Sequence, residues 1–279
     1  FYSKNSIRIG EKLFDLSTPK VMGIINCTPD SFYAGSRHNS LLTVLQDVEK
    51  KISDGASIID LGAYSSRPGA QAISSQEEIN RLKPILQSVR KAFPETIISV
   101  DTFRGEVAKI ALENGANILN DISAGNLDET LFKVLEHYKC PYILMHSKGD
   151  PQTMHENCNY NNLFKDISLF FSEKIQILHS LKITDVILDP GFGFAKTTQQ
   201  NFELLDNLEA FKHFQQPILC GISRKSMIYK TLDISADESL NGTSILNTVA
   251  LQKGASILRV HDVKEAVQTI NLLERLHHT

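Results

Sequence analysis

The feature that most constrains the fold of this chain is a regular alternation of short apolar runs with longer segments of helical period. The runs are rich in β-branched residues, and nearly continuous apolar strands are typical of a parallel sheet that helices cover on both faces. Eight such runs occur, at residues 21–26, 57–62, 97–101, 118–121, 142–146, 185–189, 217–221 and 256–260. Eight strand-helix units predict an α/β fold that closes as a (β/α)8 TIM barrel, with an open doubly wound sheet as the alternative.

The helices carry their own boundary signals. Residues 41–53 and 77–92 have helical period, and the second segment follows Ser74 and Ser75, either of which can cap it. Helical segments are followed by glycines at Gly55, Gly115 and Gly254. A positive φ costs glycine little, so these positions are predicted helix ends.

A short segment precedes the first barrel strand. Residues 6–15 alternate around Gly10 in the way that a β-hairpin does. Barrels of about 250 residues routinely form one domain, and this chain has 279 residues, of which 42% are hydrophobic. We therefore expect residues 1–279 to form a single TIM-barrel domain with a short N-terminal β-hairpin.

Charge and cysteine content exclude several classes of function. The formal net charge of -3 offers no basic surface of the kind that binding to nucleic acid or to an anionic membrane needs. No window approaches the roughly 18 consecutive apolar residues of a membrane span. Cys27, Cys140, Cys158 and Cys220 form no C-x-x-C pair, which favours reduced thiols in a cytoplasmic protein that acts on small molecules.

Polar residues lie at the carboxyl ends of nearly all the predicted strands. These positions are Asn26, Gly62, Asp101, Asn120, His146, Asp189, Ser223 and His261. Any one of them can be explained as a helix cap. As a set they favour an active site, because barrel enzymes place their sites at the carboxyl ends of the strands.

Two carboxylates, Asp101 and Asp189, would face the barrel mouth from well-separated strands. Each can accept two parallel hydrogen bonds from an amidine-like edge, and both favour a positive charge developing on a ring. The pair therefore suits a heterocycle rich in N–H donors. A glycosidase-like pair of acids is the alternative interpretation.

Basic side chains follow the seventh and eighth strands, where barrels usually bind phosphate. They are Arg224, Lys225, Arg259 and His261. Because Arg259 and His261 are two positions apart, both can point the same way from a strand end and hold an anionic leaving group. The alternative is that Arg259 only pairs with an acid such as Asp262.

Six motifs, taken in order, resemble those of the dihydropteroate synthase family over essentially the whole chain. They are Asn26-Cys27-Thr28-Pro29-Asp30-Ser31-Phe32, Ser65-Ser66-Arg67-Pro68-Gly69, Ser99-Val100-Asp101-Thr102, Asn120-Asp121, Asp189-Pro190-Gly191-Phe192-Gly193-Phe194, and Ser223-Arg224-Lys225-Ser226 with Arg259-Val260-His261-Asp262. The resemblance implies a transferase of folate biosynthesis. It would condense 6-hydroxymethyl-7,8-dihydropterin pyrophosphate with p-aminobenzoate to give 7,8-dihydropteroate and pyrophosphate, with sulfonamides as competing ligands.

The resemblance also implies roles for individual residues. The pterin would be held by Asp101, Asn120, Asp189 and Lys225, with Arg259 stacking on it and Met145 and Gly221 lining its slot. Asp101, Asp189 and Lys225 would be catalytic. The pyrophosphate would be held by Asn26, Arg259 and His261, with Asn26 acting through Mg²⁺, an ion that prefers oxygen ligands and phosphate partners.

The p-aminobenzoate site, by the same resemblance, would involve Thr28, Ser66, Arg67, Pro68, Phe194, Lys225 and Ser226. The family usually has threonine in place of Ser66, an acid in place of Ala34 and glycine in place of Ala195. The loss of the acid removes a charge from a loop that is expected to organise the closed state. A homodimer is a further implication of the resemblance.

Two alternatives remain at the level of the sequence. A pterin-dependent methyltransferase that acts with a corrinoid protein shares the aspartate-bearing strands, but it needs no pyrophosphate site. A non-catalytic pterin-binding protein would bind the pterin without releasing pyrophosphate.

Overall fold

The structure is a computed structural model that describes residues 4–27, 37–64, 72–150 and 157–277. Its strands are β1 (Ser6–Ile9), β2 (Lys12–Asp15), β3 (Lys20–Asn26), β4 (Ile58–Gly62), β5 (Ile97–Asp101), β6 (Ile118–Asp121), β7 (Tyr142–Met145), β8 (Val186–Asp189), β9 (Leu219–Cys220) and β10 (Ile257–Val260). Its α-helices are α1 (Arg37–Ser53), α2 (Ser75–Ala92), α3 (Gly105–Glu113), α4 (Thr130–Tyr138), α5 (Leu163–Ser180), α6 (Thr198–Asp206), α7 (Ser226–Leu232), α8 (Leu240–Gln252) and α9 (Val263–His277). A 3-10 helix, Leu208–Phe214, follows α6.

Strands β3 to β10 form one parallel sheet in the order β8-β7-β6-β5-β4-β3-β10-β9. A parallel bridge between Leu188 and Ile218 joins β8 to the segment that leads into β9, so the two edges of the sheet meet. The predicted (β/α)8 barrel is therefore confirmed, and the open doubly wound sheet is wrong.

The lower half of the barrel is filled with apolar side chains. One cluster of buried residues comprises Met22, Ile58, Ile118, Ile143, Ile187, Leu219 and Ile257, together with Ile7 and Leu16. The last two belong to the N-terminal segment, in which β1 and β2 form the expected antiparallel hairpin. This hairpin closes the amino end of the barrel, and Lys4 ties it to Asp185 just before β8 through a 2.7 Å ion pair.

The helix boundaries follow the sequence signals. Ser74 is the residue that caps α2, since its hydroxyl accepts a 3.1 Å hydrogen bond from the Glu77 backbone N–H. Gly55, Gly115 and Gly254 have φ values of 102°, 98° and 100°, a conformation that favours glycine. None of the helices in the described parts of the chain is long and apolar enough to cross a membrane.

Candidate active site

A polar layer lies directly above the apolar layer of the barrel. Side chains two positions apart on a strand share a face, and the residues two positions after members of the apolar cluster are Asp60, Asn120, Met145, Asp189, Gly221 and Arg259. The alternation that buries an apolar side chain near the amino end of these strands therefore directs these residues toward the carboxyl-end mouth.

Arg259 is the centre of this layer. Its Nε donates to Asp60 Oδ2 at 2.7 Å, and its guanidinium also donates to Asp101 Oδ2 at 2.9 Å. Asn120 Nδ2 donates to the same Asp60 oxygen at 3.1 Å. Four strands thus contribute to one hydrogen-bonded group of two acids, one amide and one cation.

Burial and neighbouring charges change the pKa values of Asp101 and Arg259. Burial raises the pKa of Asp101 to about 7, although the charge of Arg259 acts to lower it. The nearby Asp60 carboxylate raises it further. Burial alone would lower the pKa of Arg259, but Asp60 and Asp101 raise it above its ordinary value. Arg259 is therefore a permanent cation, whereas Asp101 can exchange a proton near neutral pH.

Asp189 and Lys225 form a second charged group at the mouth. Asp189 is 6% exposed, and its Oδ1 accepts a 2.8 Å hydrogen bond from the Gly191 N–H. Burial raises the pKa of Asp189, while the charge of Lys225 opposes this. Burial lowers the pKa of Lys225 to about 8. The Lys225 ammonium donates to the Phe192 carbonyl and lies 4.4 Å from the ring centre of Phe194.

His261 follows β10 at the barrel mouth, and its side chain is neutral at pH 7. Burial and the charges of Arg259 and Arg224 lower its pKa to about 4. Its Nδ1 lies 3.1 Å from the Ser223 hydroxyl, and Lys51 Nζ donates to its backbone carbonyl at 2.9 Å. Ser223 Oγ also accepts a 3.2 Å hydrogen bond from the His261 backbone N–H, so the hydroxyl is placed to donate to Nδ1. In that tautomer Nε2 carries the proton and can donate to an anion.

Arg224 has a different place from Arg259. It donates to both carboxylate oxygens of Asp262, at 3.0 and 2.7 Å, and also to Asp237. Arg259 does pair with acids, as the alternative interpretation held, but these acids are Asp60 and Asp101. Asp262, the example given for that interpretation, pairs with Arg224 instead.

The loop after β8 is held by a buried lysine. Lys196 Nζ donates to the carbonyls of Gly191 and Phe194, both at 3.0 Å, and lies 3.0 Å from His146 Nδ1. Burial lowers its pKa to about 7. Gly191 has φ +73°, and a Cβ there would lie 2.0 Å from the His146 carbonyl oxygen. These contacts set the position of Phe194 relative to Lys225.

The other predicted site residues divide into two groups. Met145 is buried in the polar layer, Gly221 follows β9, and Ser226 is the first residue of α7. Asn26 ends β3 with an exposed side chain and, with His261, lines a cavity of about 200 Å³. The predicted residues Thr28, Ser66, Arg67 and Pro68, and the variant position Ala34, lie outside the described residues.

Sequence reasoning missed Asp60 and Lys196. Asp60 is fully buried in the middle of β4, between Ile59 and Leu61. An acid within an otherwise apolar strand was the available signal, since a buried charge requires a partner. Lys196 offered no comparable signal, because a lysine in a loop is usually exposed.

A closed parallel barrel with acids and cations at the carboxyl ends of its strands defines the site of an α/β-barrel enzyme that binds a polar, anionic molecule. Comparisons with known proteins narrow this class. The profile of the family described as pterin binding enzyme matches residues 22–261. The dihydropteroate synthase of Escherichia coli (strain K12) is 42% identical over 262 residues, covering 93% of this chain and 92% of that protein.

Solved structures agree with the sequence comparison. The Yersinia pestis dihydropteroate synthase in a sulfonamide drug complex has a TM-score of 0.92 and 36% identity, covering 98% of this chain and 100% of that one. The Xanthomonas albilineans dihydropteroate synthase with 4-aminobenzoic acid has a TM-score of 0.91 and 29% identity, covering 99% and 100% of the two chains. The chain belongs to the dihydropteroate synthase family of pterin binding enzymes, which confirms the resemblance drawn from its motifs.

Proposed function

We propose that this protein condenses 6-hydroxymethyl-7,8-dihydropterin pyrophosphate with p-aminobenzoate, forming 7,8-dihydropteroate and pyrophosphate. The observation that carries the proposal is the group at the barrel mouth, in which the permanent cation Arg259 lies between carboxylates and close to the anion donor His261. One end of this group suits an N–H-rich ring and the other suits a phosphate. The relatives named dihydropteroate synthase support the same assignment.

Asp101, Asn120, Asp189 and Lys225 hold the pterin in this proposal. The two carboxylates accept hydrogen bonds from the ring N–H groups, and Arg259 stacks on the ring while Met145 and Gly221 line the slot. As the carbon–oxygen bond at the pterin methylene breaks and pyrophosphate leaves, positive charge develops on the ring. Asp101 and Asp189 stabilise that charge, because fixed carboxylates in a buried site act with little reorganisation.

The pyrophosphate end of the site is formed by Asn26, Arg259 and His261. Asn26 fits a shared magnesium site, because its exposed side chain forms no hydrogen bond within the described parts of the chain and an amide oxygen is a hard ligand. When bound, Mg²⁺ would neutralise phosphate charge and so improve the leaving group. His261 donates from Nε2, and Arg259 contributes its positive charge.

The p-aminobenzoate site comprises Phe194, Lys225 and Ser226, together with Thr28, Ser66, Arg67 and Pro68, which lie outside the described residues. The aromatic amine attacks the methylene carbon and then loses a proton to complete the product. Sulfonamides compete at this site, a proposal supported by the Yersinia pestis enzyme and its sulfonamide drug complex.

The test follows both products at once. Purified protein is incubated with the pterin pyrophosphate, Mg²⁺ and p-aminobenzoate, and pyrophosphate and dihydropteroate are measured together. We expect equal amounts of the two, a strong loss in Asp101→Asn, and no loss in the control Asp185→Asn, which changes an acid at the opposite end of the barrel. Pterin binding with neither product would instead indicate a non-catalytic binder or the pterin-dependent methyltransferase.

The mechanism makes a separate claim about covalent chemistry. No side chain is bonded to the pterin at any step, because the leaving group departs as the ring cation forms. Mass spectrometry of the protein after mixing with the pterin pyrophosphate alone should show the unmodified mass. A pterin adduct on the protein would contradict this mechanism.

We further propose that residues 1–279 act as one domain, in the cytoplasm, as a homodimer. Cys27, Cys140 and Cys220 form no disulfide among the described residues, which agrees with a reducing compartment. Exposed apolar side chains on α7, α8 and α9, namely Leu232, Ile245 and Leu272, offer area for a second copy. Light scattering at micromolar concentration tests the dimer, and a monomer mass would contradict it.

A further inference from the structure

The two carboxylates that hold Arg259 differ in their access to the mouth. The Asp60 side chain is 0% exposed, whereas the Asp101 side chain is 24% exposed. Asp60 is in register with Ile24, and Arg259 is in register with Met22, so the two residues approach from the neighbours on either side of β3. Asp60 therefore contacts Arg259 from within the barrel, and Asp101 contacts it from the ligand side.

The proposed pterin and Arg259 need the same carboxylate. Arg259 already donates to Asp101 Oδ2, and a carboxylate that accepts two hydrogen bonds from a ring edge has less capacity left for a guanidinium. Binding of the pterin to Asp101 thus weakens one of the two ion pairs of Arg259. A guanidinium left without a carboxylate in a buried site is costly.

Asp60 has an acceptor available for this exchange. Its Oδ2 accepts from Arg259 and Asn120, while its Oδ1 is buried without a hydrogen-bond partner among the described residues. A small rotation of Arg259 would convert one shared oxygen into a two-bond pair with both oxygens of Asp60. Paired N–H donation of this kind is the strongest arrangement of arginine with a carboxylate.

We propose that Asp60 is a positioning residue that keeps the Arg259 guanidinium in the site while Asp101 is given over to the pterin. The inference rests on the proposed function, because it takes the pterin as the ligand of Asp101. Without the Asp60 charge, Asp101 becomes the remaining carboxylate partner of Arg259. The pterin must then compete with Arg259 for Asp101.

The first test is the affinity for 6-hydroxymethyl-7,8-dihydropterin, a ligand without phosphate, measured by calorimetry. Asp60→Asn keeps the shape and the acceptor for Asn120 but removes the charge, and we expect its Kd to rise by about 10- to 100-fold, as for loss of a charged partner in a buried site. The KM for the pterin pyrophosphate should rise by a similar factor, with the KM for p-aminobenzoate unchanged. An unchanged pterin Kd in folded Asp60→Asn protein would overturn the proposal.

The same substitution in an Arg259→Gln protein tests whether Asp60 affects pterin binding through Arg259 or through a general structural effect. In Arg259→Gln protein there is no guanidinium to hold, so adding Asp60→Asn should change the pterin Kd by less than about threefold. A loss as large as that in the parent background would show that Asp60 acts by another route and would refute the proposal. The double variant removes both members of the Asp60–Arg259 pair, and the thermal midpoint of each of the three variants is measured so that Kd values are compared between folded proteins.

A matched control comes from another buried acid. Glu78 is 0% exposed and pairs with Arg104, as Asp60 pairs with Arg259. At pH 8, where Asp101 is ionised, Glu78→Gln should leave the pterin Kd within about twofold of the parent, the range expected without a direct contact. Parent protein that fails to bind the pterin or to form dihydropteroate would refute the proposed function itself, an outcome distinct from failure of the Asp60 role.

Discussion

Asp101 is expected to make pterin binding depend on pH. Its pKa is raised to about 7 by burial, and the ionised carboxylate is the form that accepts ring N–H bonds. For a pKa of about 7, the ionised fraction rises from about 9% at pH 6 to about 91% at pH 8. The affinity of the parent protein for 6-hydroxymethyl-7,8-dihydropterin should therefore increase by about tenfold over that interval.

Replacing Asp101 with asparagine should remove both the pH dependence and much of the affinity. A hydrogen bond to a charged group contributes about 1.5–3 kcal/mol, and the amide keeps one acceptor of the two, so we estimate a loss of about 2–4 kcal/mol. This corresponds to a Kd about 30- to 1,000-fold weaker at pH 8.

The same shift predicts an opposite effect on stability. A carboxyl whose folded-state pKa lies above its unfolded value binds its proton more tightly in the folded protein, so stability falls as pH rises between the two values. Above pH 7 that cost is fully present, and Asp101→Asn removes it. The variant should therefore have a higher thermal midpoint than the parent at pH 8, although it binds the pterin poorly.

Calorimetric titration from pH 6 to pH 8, with thermal unfolding at each pH, tests both effects. Asp185→Asn is the control, because it removes an acid at the amino end of the same barrel, where Lys4 and the Arg8 N–H are its partners. The control should keep the tenfold rise in affinity. A flat profile in the parent, or a rise that persists in Asp101→Asn, would refute the assignment of the titration to Asp101.

Three further predictions concern charge and backbone conformation. Burial lowers the pKa of Lys225 to about 8, so kcat/KM should fall as pH rises through 8 and Lys225 loses its proton. In Lys225→Arg this fall should occur at higher pH. A fall at the same pH would show that a group other than Lys225 causes it. Gly191→Ala should lower the free energy of unfolding in urea by more than Gly10→Ala does. Both positions have positive φ, which strains an alanine by about 1–2 kcal/mol. At residue 191 the new Cβ would also lie 2.0 Å from the His146 carbonyl oxygen, whereas the space around Gly10 is open. Equal losses would contradict the clash. Lys182→Gly should raise that free energy by about 1 kcal/mol, because a non-glycine residue there has φ 58° after α5; a lower value would contradict strain at this position.

The barrel itself was predictable from the sequence because its strands are apolar runs of one period, each followed by a helix. The predicted and observed strands differ where a residue interrupts the hydrogen bonding between neighbouring strands. Residues 217–221 were predicted as a strand, but β9 is Leu219–Cys220. Pro217 has no N–H to donate, and its carbonyl accepts a 2.8 Å hydrogen bond from Leu188 across the closing seam. Pro217 thus accounts for the later start of this strand at the point where the barrel closes.

Most of the polar positions at the mouth were also predictable, but their pairings were not. A neighbour in sequence, Asp262, was the natural candidate partner for Arg259. The structure instead pairs Arg259 with Asp60, 199 positions away, and gives Asp262 to Arg224. Strand periodicity specifies the face on which a side chain lies, but the choice of partner depends on which strands become neighbours when the barrel closes.

Asp60 shows how much a charge within an apolar strand can predict from the amino-acid sequence. An acid inside an apolar parallel strand is destabilising unless a cation or several donors meet it, so its presence predicts a partner on the same inner face. Arg259 also lies within an apolar strand, two positions after the buried Ile257, and satisfies that requirement. A search for opposite charges within apolar strands would therefore have predicted the Asp60–Arg259 pair. Because each charge is costly when it is buried alone, the two stay paired, and this pairing holds Arg259 in position for a ligand above it.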